Sequence, residues 1–440
     1  MIEISQIIFQ LFTFVIIFSF PFSNKNLKKF NNSFTIYDFY LVNFIFFANI
    51  ALIFSLTNLN FKYLFFIYYF SAILKIILKK KNFFIFNKNL INFIFFIFLN
   101  ILIFFQISNF TILTWDGLAT WSLKMNNFFY GGKYSDLEFF SFYKYSSMFQ
   151  PHLGSYLWAL FSKNTFLQYE YLGRLIFPFI YLLSIFSLCE IINGPKNNIT
   201  KMLLSITIVI LTYDLFLFGG YQEYLMFSII MFLSKLIYLV FNKKNFYLIL
   251  TIFLSLNILI WTKQEGVIFS LFFVLILLLN NFFSNNQKIY FSLSIILLLF
   301  FNSYFSISLS SNENYLRSFF VSLISNEGNF FSSFKFDILV ILRNFFYITL
   351  YIFKAFIKYP IWLIILPIFI FLIYKRDRSP IYQKILIFGI MNIILIFYVF
   401  SFHSSDFFWL LKVTLDRVVF QTTGFYCIVI ILFFKKYYKN

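Results

Sequence analysis

The side chains of this chain that could do chemistry stand between long apolar segments. In WTKQEG, Lys263 and Glu265 are two residues apart, with LTIFLSLNILI before the motif and VIFSLFFVLILLLN after it. A charge left unpaired among hydrocarbon costs about 3 kcal/mol or more, which favours mutual pairing or a water-filled cavity. A lysine in such a cavity could bind an anion, and the glutamate could bind a hydroxyl group or the lysine. The alternative is an ion pair that only ends a helix.

Two further carboxylates also lie beside apolar segments. Asp116 stands in TWDGLATWSLK, a few residues beyond the apolar segment 91–109. Its carboxylate could accept a proton from a hydroxyl group, and the alternative is that it caps the helix that begins there. Glu223 follows the tight turn GGYQE, whose glycines allow backbone conformations that other residues avoid. Both acids are therefore expected at the membrane edge.

Other candidates occupy the same connecting segments. They are Lys124, His152, Arg174, His403, Asp406 and Arg417. A lone histidine is more often a structural residue than a catalyst, although its pKa suits both roles. Arg174 opens an apolar segment and could either reach the surface or bind an anion. Arg417 precedes the last apolar segment, and the spacing of Asp406, Trp409 and Lys412 predicts a short surface helix before it.

The elements that must position these residues are membrane helices. Of the 440 residues, 61% are hydrophobic and 12% are charged, and apolar runs near the ~20 residues that cross a bilayer recur throughout. We predict an all-α, polytopic transmembrane protein with about 13 spans and no soluble domain. The predicted spans are 6–20, 36–57, 62–78, 91–109, 174–193, 202–218, 224–241, 246–262, 267–283, 289–309, 360–374, 385–401 and 419–434.

Charge sets the predicted orientation of these spans. The net charge of +19 would suggest nucleic acid binding in a soluble protein, but here lysine clusters fall at every second connection. By the positive-inside rule those connections are cytoplasmic, which puts the N-terminus and all the candidate residues outside. We therefore predict membrane lipids as partners and no nucleic acid.

Two apolar stretches do not fit a spanning role. Residues 338–358 carry Arg343, Lys354 and Lys358 at helical spacing, which predicts an amphipathic helix on the outer surface. Residues 153–162 are too short to span, and we expect them to re-enter the membrane or lie in its interface.

The cysteines and the N-terminus give three expected absences. Cys189 and Cys427 both lie in apolar segments, which predicts neither a disulfide nor a metal site. The N-terminal MIEISQ has no basic region, and no A-x-A cleavage site follows residues 6–20. We therefore expect the first segment to be a retained span.

The order of these motifs resembles the GT-C type glycosyltransferases, of the dolichyl-phosphate-mannose mannosyltransferase-like superfamily. The motifs that carry the resemblance are, in chain order, a WD loop after an early span, an acidic residue in a tight outer turn, a K-x-E-G at a helix end and a D-R before the last helix. TWDGLATWSLK and TKQEG are the closest matches. The resemblance covers residues 91–434. It implies a catalytic module over 91–440 with its first outer loop at 110–173, joined to added helices over 1–90 in one membrane domain.

The resemblance also implies roles for individual residues. These enzymes take a sugar from a polyprenyl-phosphate carrier at the outer face, here the periplasmic face of a bacterial inner membrane. Asp116 matches the general base and Glu223 the second acid. The expected donor-binding residues are Lys263, Glu265, Arg417, Lys124 and Arg174, with His152, His403 and Asp406 as further candidates. The acceptor would be a glycan, a glycolipid or a protein.

Three features depart from that family. The outer loops have no D-x-D, which disfavours a divalent metal, and we expect no cofactor. We also expect no soluble C-terminal domain, and at least three predicted spans precede the WD loop, where the best-known members have one.

Two alternatives stay open. A flippase or transporter of lipid-linked sugars usually has inverted repeats and polar residues near the bilayer midplane, and this sequence has no internal repeat. An O-antigen polymerase or ligase usually has an arginine-rich outer loop, whereas 310–337 contains only Arg317 and Lys335 as basic residues.

Overall fold

The structure is a computed structural model that describes residues 2–22, 34–79, 90–109, 112–137, 151–162, 170–192, 198–242, 245–279, 284–309, 338–375, 380–402 and 407–437. Every regular element in these ranges is helical, as the sequence predicts. The helices are α1 (Ile2–Ser19), α2 (Ile36–Leu56), α3 (Phe61–Lys79), α4 (Leu90–Asn109), α5 (Leu123–Phe129), α6 (Leu153–Ser162), α7 (Tyr171–Cys189), α8 (Asn198–Thr212), α9 (Glu223–Asn242), α10 (Phe246–Thr262), α11 (Gln264–Leu278), α12 (Asn285–Leu309), α13 (Ile338–Lys358), α14 (Trp362–Tyr374), α15 (Pro380–Phe402) and α16 (Phe407–Tyr437).

Within the described ranges, seven helices are long and apolar enough to cross a membrane. They are α2, α4, α7, α9, α12, α15 and α16. An eighth span results if α13 and α14, which meet at a bend of 110°, are counted as one. All the predicted spans coincide with helices, but α1, α3, α8, α10, α11 and α14 do not by themselves meet that length and composition. The chain is thus a helical, multi-pass membrane protein.

The central helix of the bundle is α9, which is buried along nearly its whole length. It packs against α7, α10 and α16. The contact with α16 is close because Gly424 has no side chain: a Cβ there would lie 2.4 Å from the Phe227 carbonyl oxygen. One turn before Gly424 in α16, Phe420 stacks on Phe227 with 4.9 Å between the ring centroids. Two helices are therefore held together along the core.

The helix ends separate into two groups at opposite sides of the bundle. On one side Glu223, at the start of α9, meets Lys263 at the end of α10 and Arg417 in the first third of α16. On the other side Asp38, at the start of α2, meets Lys235 toward the end of α9. This alternation agrees with the one that the lysine clusters predict.

A buried ion pair holds the side opposite Glu223. Lys235 Nζ lies 2.7 and 2.8 Å from the two carboxylate oxygens of Asp38, and neither side chain is appreciably exposed. Ser187 donates its hydroxyl to Asp38 at 2.6 Å, and its carbonyl accepts a hydrogen bond from Lys235 at 2.6 Å. The pair thus joins α2, α7 and α9.

Helix α13 lies across helix ends on the Glu223 side. Near its start Phe345 stacks on Phe397 of α15 at 4.4 Å, and Tyr347 meets Phe408 of α16 at 4.9 Å. At its end Lys358 pairs with Asp416, which is also in the first third of α16. Helix α13 therefore packs along the start of α16, and its position on the outer membrane surface stays a prediction.

Helix α6 lies inside the bundle. All ten of its residues are buried, packed against α2, α5, α7 and α10. Its Phe161 meets Phe14 at 4.6 Å, and the Phe161 carbonyl accepts a hydrogen bond from Gln10 at 2.6 Å. Helix α6 is therefore part of the helical core, and its placement within the membrane or at the membrane interface stays a prediction.

The last helix differs from its prediction. A separate surface helix before the span 419–434 was expected, but α16 is continuous from Phe407 to Tyr437. Arg417 consequently stands ten residues inside this helix, whereas the sequence places it at the mouth of the span. Trp409 and Lys412 belong to the same helix. One continuous helix is possible here because a helix longer than the bilayer core can project beyond the membrane.

Asp38→Asn should destabilise the protein strongly, because it leaves the ammonium of Lys235 buried without a counter-charge. Breaking a buried ion pair in this way costs about 3–5 kcal/mol. Thermal unfolding in detergent measures the effect. The double variant Asp38→Leu with Lys235→Met should regain part of the lost stability, and a single variant as stable as the wild type would contradict the prediction.

Candidate functional site

Five ionisable side chains form one connected cluster, here named the ion-pair network. Glu223 Oε1 lies 2.9 Å from Lys263 Nζ and 3.7 Å from Arg417 Nη1. Arg417 Nη1 also lies 2.5 Å from Asp116 Oδ2, and Lys263 Nζ lies 3.4 Å from Glu265 Oε1. All five were singled out in the sequence, and they come from four separate parts of the chain.

Exposure increases outward through the network. The side chain of Glu223 is 0% exposed, those of Lys263 and Arg417 are 8% and 12%, and those of Asp116 and Glu265 are 24% and 32%. The network therefore opens to its surroundings beside Asp116 and Glu265. Three carboxylates face two cations, which leaves one negative charge in excess when all are ionised. An anion can pair with a cation here only by competing with a carboxylate.

Asp116 is placed by contact between its loop and the turn before Glu223. The backbone N–H and the hydroxyl of Thr114 both donate to the Gly219 carbonyl, at 3.0 and 2.9 Å. A Cβ on Gly117 would lie 2.1 Å from that same oxygen. Gly220 has a φ of +99°, which favours glycine, and its own Cβ would lie 3.0 Å from Gly117 Cα. Glycines therefore let the two segments touch.

The capping role considered for Asp116 is wrong. Its φ and ψ of −65° and −35° are helical, and its side chain makes no capping hydrogen bond. Directly after it, Gly117–Ser122 forms a π-helical segment, and a second one, Leu411–Leu415, ends two residues before Arg417. Arg417 Nε donates to the Val413 carbonyl of that second segment at 2.8 Å. Such segments are frequent at functional sites, and here they adjoin both partners of one ion pair.

Lys263 is the single extended residue between two helices. Its backbone is extended, with φ −151° and ψ 160°, and this residue interrupts the helical backbone between α10 and α11. Gly266, in the first turn of α11, allows α11 to pack closely against α10. A Cβ on Gly266 would lie only 1.9 Å from the Leu259 carbonyl oxygen. Glu265 lies in the first turn of α11, where the helix dipole stabilises a negative charge. Because Lys263 reaches Glu223, the pair does more than end a helix.

Two contacts around Arg417 were not predicted from the sequence. The ring of Tyr221 lies 4.9 Å from the guanidinium carbon of Arg417, within cation–π range. Next along α16, Asp416 pairs with Lys358, which also lies 3.2 Å from Asp214. The end of α13 is thereby fixed beside the network.

His152 lies in a neighbouring aromatic cluster. Its Nε2 is 2.7 Å from the hydroxyl of Ser55, and its ring contacts Tyr134 at 4.3 Å and Trp261 at 5.7 Å between centroids. Burial, with help from Lys124, lowers the pKa of His152 to about 3. The ring is therefore neutral at physiological pH, which favours the structural role over proton transfer.

Lys124 is also fully buried. Its ammonium lies 5.2 Å from the centroid of the Trp121 ring. Burial lowers the pKa of Lys124 to about 7, because the charged ammonium is costly away from water. An anion bound nearby would favour the charged form, so Lys124 keeps its predicted role in donor binding as an expectation.

Arg174 does not reach the surface, since it is almost completely buried. Its guanidinium lies 2.8 Å from Glu170 and donates to the Phe218 carbonyl at 3.0 Å. Phe218 directly precedes Gly219, so Arg174 supports the turn on which the Asp116 loop rests. Its binding to a donor phosphate stays a prediction. His403 and Asp406 lie outside the described residues.

Metal binding finds no candidate in the part of the chain that the structure describes. No group of three or more His, Cys, Asp or Glu side chains there could hold a metal ion. No protein-family model, curated protein or solved structure matches the chain. The site is therefore interpreted from its own geometry.

Gly117→Ala should destabilise the protein, because the added methyl group would overlap the Gly219 carbonyl and push the Asp116 loop away. Overpacking of this kind costs about 1–3 kcal/mol. Gly389→Ala is the matched control, since its nearest neighbour would lie at 3.4 Å. Thermal unfolding of both variants in detergent measures the difference, and equal midpoints would contradict the placement of the loop.

Proposed function

We propose that this protein is a glycosyltransferase that moves a sugar from a polyprenyl-phosphate donor to an acceptor at the outer face of the membrane. The observation that supports this most is the ion-pair network, in which Asp116 stands beside Arg417 and Glu223 joins Arg417 to a second cation, Lys263. That combination contains a group to accept a proton and groups to receive a phosphate. In the proposal the membrane is a bacterial inner membrane, and the network faces the periplasm.

The location of the network suits a lipid-linked substrate. A polyprenyl phosphate keeps its hydrocarbon tail in the bilayer and its charged head at the surface. The network lies at helix ends on the side that the lysine clusters mark as outer, and it opens beside Asp116 and Glu265. A donor could therefore bring its phosphate to the network without leaving the membrane.

The proposed reaction is a single displacement at the anomeric carbon. The acceptor hydroxyl oxygen attacks the anomeric carbon, and the bond between that carbon and the phosphate oxygen breaks. Polyprenyl phosphate leaves with the bonding electrons, and the acceptor proton passes to the carboxylate of Asp116. Lys263 and Arg417 stabilise the negative charge on the departing phosphate. No second carboxylate is needed as a nucleophile, in keeping with inversion at the sugar.

The pairing of the network implies an order of binding. Arg417 Nη1 lies 2.5 Å from Asp116 Oδ2, so Arg417 and Asp116 neutralise each other in this arrangement. A donor phosphate that binds Arg417 would compete with Asp116 and release it toward the acceptor. Donor would therefore bind before acceptor, and the base would become available only when a donor is present.

The remaining predicted features belong to the same proposal. Glu223 holds the two cations, Glu265 binds the sugar, and Lys124 supports the donor phosphate from the neighbouring aromatic cluster. The architecture would be GT-C-like with about 13 crossings, in which the helices shorter than the bilayer core complete the bundle. The reaction needs no cofactor, and the acceptor is a glycan, a glycolipid or a protein.

A transporter or flippase of lipid-linked sugars is the second candidate. The break between α10 and α11 at Lys263 and the buried helix α6 are features that transporters also use. The ion-pair network lies at helix ends on one side of the bundle, whereas transporter sites lie near the midplane. This difference favours the transferase.

The first test is transfer of radiolabelled sugar from a panel of polyprenyl-phosphate sugars in membranes that contain the protein. Loss of the general base in Asp116→Asn should lower the rate by about 10²–10⁴-fold. Asp136→Asn is the matched control, because Asp136 is exposed and lies outside the network.

Each other outcome has a defined meaning. Equal labelling by the wild type and Asp116→Asn would remove Asp116 from the mechanism. No transfer from any donor, together with movement of the labelled lipid between leaflets, would support the transporter instead.

A further inference from the structure

Gln421 of α16 is a buried polar side chain that the mechanism above does not use. It is fully buried, and neither its amide oxygen nor its amide nitrogen has a hydrogen-bond partner among the described residues. A buried amide is normally satisfied, and an exception requires a specific reason such as a bound molecule. Among the described residues, six other glutamine and asparagine side chains each leave one buried amide atom without a hydrogen-bond partner, whereas Gln421 leaves both.

The position of Gln421 connects it with the ion-pair network. Residues three or four apart lie on the same face of a helix. Gln421 stands four residues after Arg417, which reaches Glu223, and three residues before Gly424, which packs against the backbone of Phe227. Since both neighbours contact α9, Gln421 belongs to the stripe of α16 that faces α9, one turn further into the bundle than the network.

Glu223 presents a third unsatisfied polar atom, on the facing helix α9. Its Oε1 binds Lys263, but its Oε2 is buried and has no hydrogen-bond partner among the described residues. Two facing helices thus offer two acceptors, Glu223 Oε2 and Gln421 Oε1, and one donor group, Gln421 Nε2.

We infer that Gln421 and Glu223 together bind two adjacent hydroxyl groups of an uncharged sugar ring. This inference rests on the proposed function and names the part of the donor that this face recognises. The phosphate binds the cations near the surface, and the ring extends inward to Gln421. Gln421 is in that case a residue that determines which sugar is transferred.

The choice of an uncharged diol follows from the donors and acceptors available. Two acceptors and one donor group must be satisfied together. An ammonium group only donates and a carboxylate only accepts, so a single charged substituent cannot satisfy all three. A hydroxyl group does both, and two neighbouring hydroxyl groups can bind an amide through its oxygen and its nitrogen at once.

The test combines changes in the substrate with changes in the enzyme. Transfer is measured as kcat/KM for a polyprenyl-phosphate hexose and for its monodeoxy analogues, with the wild type, Gln421→Leu and Gln421→Glu. A site built to bind a hydroxyl group discriminates strongly against its absence, so the wild type should lose about 10²-fold or more on one deoxy analogue. Gln421→Leu should lose a similar factor on the hexose and little further on that analogue.

Gln421→Glu keeps the shape of the side chain and loses the donor group, and it should fall between the wild type and Gln421→Leu on the hexose. Cys427→Ala, a buried change six residues further along α16, is the control and should behave as the wild type. The elution profile in detergent shows whether each variant is folded.

The outcomes separate this inference from the proposed function. No transfer by the wild type with any donor would overturn both. Transfer that is indifferent to Gln421→Leu and Gln421→Glu would overturn the role of Gln421 alone. So would an equal loss on the hexose and on every deoxy analogue, since that pattern indicates a structural effect.

Discussion

The arrangement of this protein depends on one carboxylate, that of Glu223, which is fully buried at the start of the central helix α9. A charge at such a place is tolerated only if opposite charges reach it, and they come from Lys263 and Arg417 on two other helices. The start of α9 is therefore the place where the break between α10 and α11 must meet the first third of α16. At the other end of α9, Lys235 meets Asp38 under the same constraint. The two ion pairs fix both ends of the core, and the apolar packing lies between them.

The same constraint explains how an active site could be both buried and responsive. Every cation of the network already has a carboxylate partner, and one carboxylate is in excess, so neither cation is left without a counter-charge. An arriving phosphate would exchange partners with a carboxylate and need not fill an empty site. The π-helical segments beside Asp116 and Arg417 place this exchange where the helices depart from regular geometry. The glycines at 117, 219 and 220 allow the close contact but leave no room for larger side chains.

Much of the fold could be predicted from the sequence, because apolar segments of membrane length are an unambiguous pattern and lysine clusters mark one side. Asp116, Glu223, Lys263, Glu265 and Arg417 could be singled out because each charge stands where it would be costly alone. Their pairing could not be predicted, since a sequence pattern indicates the side of the membrane on which a residue lies but not the residue that it contacts. Asp38 and Lys235 stand inside predicted spans and carried the same signal, yet the sequence analysis passed over them. Gln421 had no signal at all, because a neutral amide in an apolar segment becomes unusual only when its hydrogen-bond partners are known.

A double-mutant cycle of Glu223→Gln and Lys263→Met measures whether the ion-pair network works as one unit. Initial rates of sugar transfer are measured for the wild type, both single variants and the double variant in the same membranes. If the two side chains act together, each single variant should lose most of the activity, and the double variant should lose no more than the worse single one. Losses that multiply in the double variant, or single variants that keep the wild-type rate, would contradict the account.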